Sequence, residues 1–264
     1  MTIRRTATDP HGRPTWVLIS QVEHARISGE LATRWHEDVF VSPSARAQLV
    51  ATAYHHDDGW LAWEEAPGVD PDEARPTSFT EMRLTDSLPI WRASIERCAE
   101  FGPLAAATTA AHFVFLLRQS DAASRGADDA VMAEQWLAEF EARIGQWRRQ
   151  WQQQATVNTA TAADEALILL QLWDRMSLWL CCAAQHEPLE LATAHEPLKM
   201  IPLSHDETQP LEVALEPWPL TVDVLETSVP GRAISVGRYA NAEALASAAK
   251  RSVEVRWRLH PAGV

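Results

Sequence analysis

The sequence predicts a mainly α fold, a helical bundle that carries a small antiparallel β appendage. Helical periodicity of apolar residues dominates the region from Val22 to Ala184. Seven prolines between Pro188 and Pro230 exclude long helices from the region that follows. The chain has 264 residues, 46% of them apolar and 12 of them tryptophan, so it can bury a full core and is not a disordered chain.

Capping residues and helix breakers bound the predicted helices. Ser42-Pro43 supplies an N-cap followed by proline in the first turn, and Asp57-Asp58-Gly59 is a stop signal. The segment Glu64–Thr85 contains three prolines and one glycine, which predicts a long loop of the kind that is usually functional or mobile. The predicted helices run from Val22 to about Trp35, from Ser42 to Gly59, after Asp86, after Gly102-Pro103, from Asp129 to about Gln154 and from Thr161 through Asp174.

Short runs of β-branched and apolar residues predict the strands. One such run, Trp16–Ser20, lies near the N-terminus, and the others follow the last long helix. The predicted C-terminal elements are strands at Leu211–Leu215, Leu220–Leu225, Ala233–Val236 and Val253–Leu259, and a short helix near Ala242–Lys250. The chain is therefore divided into a helical domain, residues 15–186, and a β-rich appendage, residues 187–264, which the N-terminal strand can join.

Charge and composition exclude several classes of partner. The chain has 23 Lys and Arg against 36 Asp and Glu, a net charge of −13, which would repel nucleic acid and anionic membrane surfaces. No apolar signal core follows the first residues, and Asp174-Arg175 interrupts the most apolar late segment, so we expect a cytoplasmic protein without membrane spans. Three cysteines, two of them adjacent, predict reduced core residues. A homo-oligomer is compatible with these features.

Polar side chains on apolar helix faces indicate where chemistry takes place. Counting back by three and four residues from His56 and Asp57 gives Ala53, Leu49 and Val50, whereas His55 falls on a polar side. Asp174 shares a stripe with leucines and a cysteine, and a buried carboxylate there needs a cation or several donors. A structural ion pair of Asp174 with Arg175 or Arg143 is the alternative to a functional site.

Together with His24, near the start of the first helix, these groups offer two imidazoles and two carboxylates. That donor set suits one divalent ion with open positions for water or substrate, and it does not distinguish Fe, Mn, Zn, Co and Ni. We therefore predict His24, His56, Asp57 and Asp174 as metal ligands. His112 lies in the apolar segment after Pro103 and is a possible additional ligand, although a lone histidine on an apolar face is more often a satisfied core residue.

The order His24, His56-Asp57, Asp174 is similar to the ligand order of the HD-domain superfamily, helical metal-dependent phosphohydrolases that include some oxygenases with two irons. Over most of its length the chain also resembles the bacterial domain-of-unknown-function family 3891. The matching residues are Gln21-Val-Glu-His24-Ala-Arg, His56-Asp57-Asp58-Gly59-Trp60, Trp63, Ala66-Pro67, Arg75-Pro76, Ser78-Phe79 and Trp173-Asp174-Arg175. The resemblance implies an HD-like fold and ligand candidates but no activity. Phe113-Val114-Phe115 departs from the family pattern and weakens the case for His112.

The leading functional hypothesis is a metal-dependent hydrolase of a small phosphorylated or other anionic compound. In it, Asp58 orients water or acts as general base, and Arg75 pairs with the substrate anion. Trp60 and Trp63 wall the site. The structural alternatives are a loop ion pair of Arg75 with Asp70, Asp72 or Glu73 and a core role for the tryptophans. A non-haem iron oxygenase and a non-catalytic binding module remain as competing functions.

Overall fold

The computed structural model describes residues 2–36, 40, 42–121, 126–154, 161–182, 187–193, 196–204 and 210–263. It is 52% helix and 22% strand, with one layer of helices against a curved, seven-stranded mixed sheet. The predicted mainly α fold with a small β appendage is therefore wrong. The same finding contradicts the expected all-α, HD-like architecture, because the seven-stranded sheet is a major part of the fold rather than an appendage.

The helices lie close to where capping signals predict them. Ser20 caps the first helix through Val22 N, and Ser42 caps the second through Ala45 N, with Pro43 in its first turn. The helices are α1 (Gln21–Arg34), α2 (Pro43–His55), α3 (Trp60–Glu65), α4 (Leu84–Ala99), α5 (Pro103–Gln119), α6 (Ala127–Gln154), α7 (Ala162–Cys182) and α8 (Ala242–Ser247), and a 3₁₀ turn covers Phe79–Glu81.

The sheet draws strands from both ends of the described chain. Its strands are β1 (Ile3–Thr8), β2 (Pro14–Ile19), β3 (Leu189–Leu191), β4 (Leu198–Pro202), β5 (Leu211–Glu216), β6 (Leu225–Ser235) and β7 (Arg251–Pro261). They are arranged in the order β1-β2-β6-β7-β5-β4-β3. Neighbouring strands are antiparallel except β5 and β7, which run parallel with Val213 opposite Leu259.

The structure corrects two of the predicted strands: Ala233–Val236 belongs, up to Ser235, to the longer strand β6, and Leu220–Leu225 is not a strand of its own. β6 is an 11-residue strand that contains Pro230 and Gly231, which sequence patterns treat as strand breakers. The proline is tolerated because pairing with β2 begins only at Gly231. A side chain at Gly231 would lie 2.6 Å from Val17 Cγ1, so the close approach of β2 requires glycine. The predicted strand Leu220–Leu225 is absent, apart from its last residue, which begins β6.

The division into residues 15–186 and 187–264 stays a prediction, and residue 186 itself lies outside the described residues. Both segments contribute to the sheet, since β2 pairs with β6. Within the residues described, no helix has both the length and the apolar character required to cross a bilayer.

The main core lies between the sheet and the helices α1, α2 and α7. It contains Ile27, Trp173, Leu215 and Leu259, all fully buried or nearly so. A second apolar cluster joins α4, α5 and α6. Helix α5 contacts α2 and α7 on one side and α4 and α6 on the other. As a result, α1, α2, α5 and α7 meet in the centre of the helical layer.

Candidate metal centre

Polar side chains from four elements converge at this meeting point. His24 comes from α1, His56 follows the last residue of α2, His112 comes from α5, and Asp174 comes from α7, and all four are buried. One ligand atom each of His24, His56 and Asp174 lies within 4.8 Å of the other two. The structure thus brings together three of the four predicted ligands as a triad that could hold a metal ion.

Short distances connect the fourth predicted ligand, Asp57, to this triad. Asp57 Oδ2 lies 2.8 Å from His24 Nε2 and 3.9 Å from His56 Nε2. On the other side, Asp174 Oδ1 lies 3.3 Å from His56 Nε2 and 3.9 Å from His24 Nε2. The two carboxylates therefore flank the two imidazoles, which is the arrangement that the sequence analysis required.

The turn that carries His56 and Asp57 packs against helix α4. Gly59 N donates a hydrogen bond to Ser94 Oγ at 3.0 Å. A Cβ atom at Gly59 would lie only 2.0 Å from Ile90 O, so no other residue allows this approach. The glycine predicted as a helix stop thus has a second role, because it lets α4 fix the position of the His-Asp pair.

Hydrogen bonds at the far side of each ring fix its tautomer. His56 Nδ1 lies 3.0 Å from Ala53 O, a carbonyl that can only accept, so Nδ1 carries a proton. His24 Nδ1 lies 2.8 Å from Ser177 Oγ, whose hydroxyl donates to Asp174 O at 2.9 Å, so this Nδ1 is also the donor. Both rings therefore turn Nε2 toward the carboxylates, as metal-ligating histidines do.

The carboxylates and imidazoles shift each other's pKa values. Burial lowers the pKa of His56, but the charges of Asp57 and Asp174 outweigh it and raise the pKa to about 9. Burial raises the pKa of Asp174, whereas the hydrogen bond from His56 and the charge of that imidazolium bring it down to about 2. A buried carboxylate that is ionised at neutral pH strongly favours a positive charge beside it, either that of the His56 imidazolium or that of a metal ion.

His112 belongs to the same cluster. Its Nε2 lies 4.0 Å from Asp174 Oδ2, and its ring meets that of His56 edge-on at 5.8 Å. Burial lowers the pKa of His112, which keeps the imidazole neutral and able to act as a ligand. Its Nδ1 is buried and has no hydrogen-bond partner among the residues that the structure describes. The Phe113 ring stacks on Trp91 and also meets the His112 ring edge-on, with 5.3 Å between the centroids.

Asp58 lies next to the cluster in sequence but bonds elsewhere. Its Oδ2 is 2.8 Å from His55 Nδ1 and 3.3 Å from Arg97 Nε. The hydrogen bonds of this carboxylate therefore tie the turn to α4, and its role as a general base stays a prediction.

The three predicted substrate-binding residues are not gathered at the cluster. Arg75 donates to Glu81 Oε1 at 2.9 Å and lies 3.9 Å from Glu73 Oε2. Trp60 packs edge-on against Trp63, in an apolar cluster with Met82 and Ile90. The tryptophans thus have the core contacts of their structural alternative, whereas Arg75 bonds to Glu81, which the sequence analysis did not name, and lies at ion-pair distance from the predicted Glu73. The substrate roles of all three residues stay predictions.

The structural alternative for Asp174 can also be compared with the geometry. Arg143 lies 2.7 Å from Glu96 Oε1 rather than beside Asp174. Arg175 is exposed, and together with Asp174 and His112 it lines a cavity of about 330 Å³. In the described part of the chain, the partners of the Asp174 carboxylate are histidines.

Sequence reasoning missed Ser177, Gln171 and the cavity role of Arg175. Ser177 lies three residues after Asp174, so its spacing puts it on the same helix face and was the available signal. Gln171 lines the cavity with Arg175 one turn further along α7. The position of the cavity depends on Leu191 from β3, which no local pattern connects to α7.

Comparison with known sequences identifies one matching family. The model of the family described as "Protein of unknown function (DUF3891)" matches residues 10–236, which include every residue of the cluster. Comparisons with curated proteins and with solved structures gave no match.

Proposed function

The chain belongs to the DUF3891 family, and from the geometry of its buried cluster we propose that it is a metal-dependent hydrolase of a small phosphorylated or other anionic compound. The observation that carries the proposal is the buried triad of His24, His56 and Asp174, whose ligand atoms all lie within 4.8 Å of one another. Two imidazole nitrogens and a carboxylate oxygen are typical ligands of catalytic zinc and of related divalent ions.

The chain's own residues hold and orient such an ion. Ser177 and the carbonyl of Ala53 fix the rings of His24 and His56 with Nε2 inward. Asp57 is the fourth ligand in this proposal, since its carboxylate already contacts both rings. When bound, a divalent ion supplies Lewis-acid polarisation of the scissile bond and lowers the pKa of water toward neutrality.

The neighbouring cavity supports a small-molecule substrate. Asp174 and His112 belong to the cluster and also line the cavity, so a molecule bound there would lie next to the Asp174 carboxylate. At about 330 Å³ the cavity is at the lower end of the range for small-molecule sites. Arg175 at its edge gives it a positive charge that favours an anionic group.

Metal content and turnover test the proposal together. The purified protein should contain one divalent ion per chain and release phosphate from phosphomonoesters, with both properties abolished by a chelator and restored by added metal. His56→Ala and Asp57→Ala should lose both, whereas His55→Ala, one residue away and partly exposed, should keep both. Unchanged metal content in Asp57→Ala would defeat the assignment of that ligand, and a metal-loaded protein without hydrolytic turnover would defeat the hydrolase.

A second candidate function rests on the same donor set. Two imidazoles and one carboxylate also form the facial triad of non-haem iron oxygenases. His112 adds a further nitrogen 4.0 Å from Asp174. Loading with Fe(II) under anaerobic conditions, followed by exposure to oxygen, separates the two functions, because an oxygenase would consume oxygen in the presence of a substrate. Equal phosphate release with redox-inactive Zn would instead favour the hydrolase.

A further inference from the structure

The cavity beside the cluster has two unlike sides. Asp174 and His112 form its inner end. Much of the remaining lining is apolar and comes from α5, α7 and β3, including Leu172 and Leu191, both buried. A site that binds only a small polar anion has no use for such a lining, because apolar walls do not replace the water that the anion loses.

Exposed apolar side chains extend this lining to the surface. Phe115, Leu116 and Ile168 have 44%, 37% and 45% of their surface exposed, although each is large and apolar. All three line the same cavity. Isolated exposed apolar residues need no explanation, but three at the mouth of one cavity indicate a binding surface.

Polar donors complete the cavity on the α7 side. Gln171 and Arg175 are one helical turn apart and both line the cavity. Gln171 Nε2 is buried and has no hydrogen-bond partner among the described residues. A buried donor without an acceptor is destabilising, so an acceptor oxygen on a ligand would remove that cost. Both groups donate and neither Arg175 nor the Gln171 amide nitrogen can accept, which selects an oxyanion.

We propose that the substrate of this site is an amphiphilic anion, an oxyanion attached to an apolar aliphatic or aromatic body. The oxyanion lies between the cluster and the donors Gln171 and Arg175, and the apolar body lies against Phe115, Leu116 and Ile168. This inference rests on the proposed function and narrows its substrate class from anionic compounds in general to those with an apolar group of a few carbon atoms.

Binding of n-alkylphosphonates, from methyl to hexyl, tests the ligand class without chemistry, because their carbon–phosphorus bond is not a hydrolysable ester. Titration calorimetry on the metal-loaded protein should show affinity rising about fourfold for each added methylene until the cavity is filled. Inorganic phosphate should bind more weakly than every phosphonate longer than methylphosphonate. Hexanol, which lacks the anion, should bind more weakly than hexylphosphonate. Equal affinity for methyl- and hexylphosphonate would overturn the proposal.

Two exposed positions separate the two sides of the cavity. Arg175→Gln should weaken all phosphonates by about the same factor and leave the dependence on chain length unchanged. Ile168→Ser should reduce the gain per methylene and leave methylphosphonate unaffected. The matched controls are Arg149→Gln and Val131→Ser on α6, where Arg149 is an exposed arginine and Val131 an exposed β-branched apolar residue. Neither substitution should change binding. If Ile168→Ser instead converted a dimer to monomers in sedimentation and left the chain-length dependence intact, the apolar mouth would be a subunit interface and the proposal would be wrong.

Phosphate release from the matching alkyl phosphates keeps the two proposals apart. Turnover without dependence on chain length would leave the hydrolase standing and refute the amphiphilic substrate. Binding that depends on chain length, without turnover on any ester, would refute the hydrolase and support the ligand class.

Discussion

Two groups of charged side chains in this molecule are neutralised in different ways. Near the surface, Glu81 accepts hydrogen bonds from Arg4 at 2.8 and 3.0 Å and from Arg75 at 2.9 Å. In the centre of the helical layer, Asp57 and Asp174 meet only imidazoles among the described residues. Acidic side chains are therefore paired with arginine in one group and with histidine in the other.

Whether arginine or histidine faces the carboxylates decides whether each group can exchange a proton. Arginine stays charged at every relevant pH, so Arg4 and Arg75 do not exchange protons with Glu81. An imidazole can give up its proton near neutral pH and then offers a lone pair to a metal. In the central group a proton can therefore be exchanged for a metal ion, whereas the charges of the outer group are fixed. The following predictions test that difference.

The largest effect is expected from Asp174→Asn. The substitution keeps the volume but removes the charge that lies against three histidines, so bound metal should fall from one ion per chain to a trace. Elemental analysis of the purified variant measures this. Asp164→Asn is the matched control, because Asp164 lies on the same helix but is exposed and pairs with Arg148 at 2.7 Å. Full metal content in Asp174→Asn would show that the central group is structural, like the outer one.

The pH dependence of stability should differ between metal-free and metal-loaded protein. In the metal-free protein the pKa of His56 is raised from 6.5 to about 9, so its charged form stabilises the fold. That contribution to the free energy of unfolding is on the order of 3 kcal/mol. It is complete below pH 6.5 and is lost as the pH rises through 9. Metal stabilisation should increase over the same range, because protons no longer compete. Urea unfolding with and without chelator measures both trends, and His56→Gln should abolish the first one.

A smaller effect is expected from Ser177→Ala. The variant removes the acceptor that fixes the His24 ring, and loss of such a partner weakens metal binding by roughly 10- to 100-fold. Ser28→Ala is a graded control, because Ser28 contacts Ser177 rather than the ring. Competition with a fluorescent chelator gives both dissociation constants. An effect of Ser28→Ala as large as that of Ser177→Ala would point to helix packing rather than ring orientation.

The smallest effect is expected from Glu81→Gln, which alters the outer group. Partial burial raises the pKa of Glu81, but the hydrogen bonds and charges of Arg4 and Arg75 outweigh it and hold the pKa below the ordinary 4.5. The carboxylate therefore stabilises the fold above pH 4.5, by about 0.5 to 1 kcal/mol, and this is lost as the pH falls through the lowered pKa. The difference between variant and parent should shrink accordingly in acid. Metal content should not change, and a loss of metal would show that the two groups are coupled.

The helices were predictable from sequence, but the sheet was not. The N-cap and first-turn proline at Ser42-Pro43 act locally and are confirmed, whereas α2 ends at His55 and Gly59 precedes α3, a helix that the sequence analysis did not predict. β1 and the first half of β6 carry arginine, proline and glycine, and they are strands because β2 and β7 pair with them. β1 and β2 are adjacent in the chain and form a hairpin, whereas the pairing of β2 with β6 joins distant segments and leaves no local signal in the sequence. The parallel pairing of β5 with β7 has the same character.

The site was predictable as far as helix geometry extends. His24, His56, Asp57 and Asp174 are polar positions on apolar stripes, and the structure brings them together. Asp58 follows the last residue of α2, as His56 and Asp57 also do, and no local pattern shows that Arg97 of α4 binds it. Arg75 has its partner Glu81 six residues away, in a loop that has no regular period. Roles in loops therefore need coordinates, whereas inward positions on helices do not.

His24 and Ser177 touch each other across 153 positions of the sequence. A nascent chain that leaves the ribosome residue by residue has the first histidines long before α7 exists. The early part alone offers two imidazoles and a neighbouring acid, a set too loose to retain a cation against cellular competitors. Under the proposed function, the ion is therefore acquired after the helical layer is complete, by a folded protein rather than by one under synthesis.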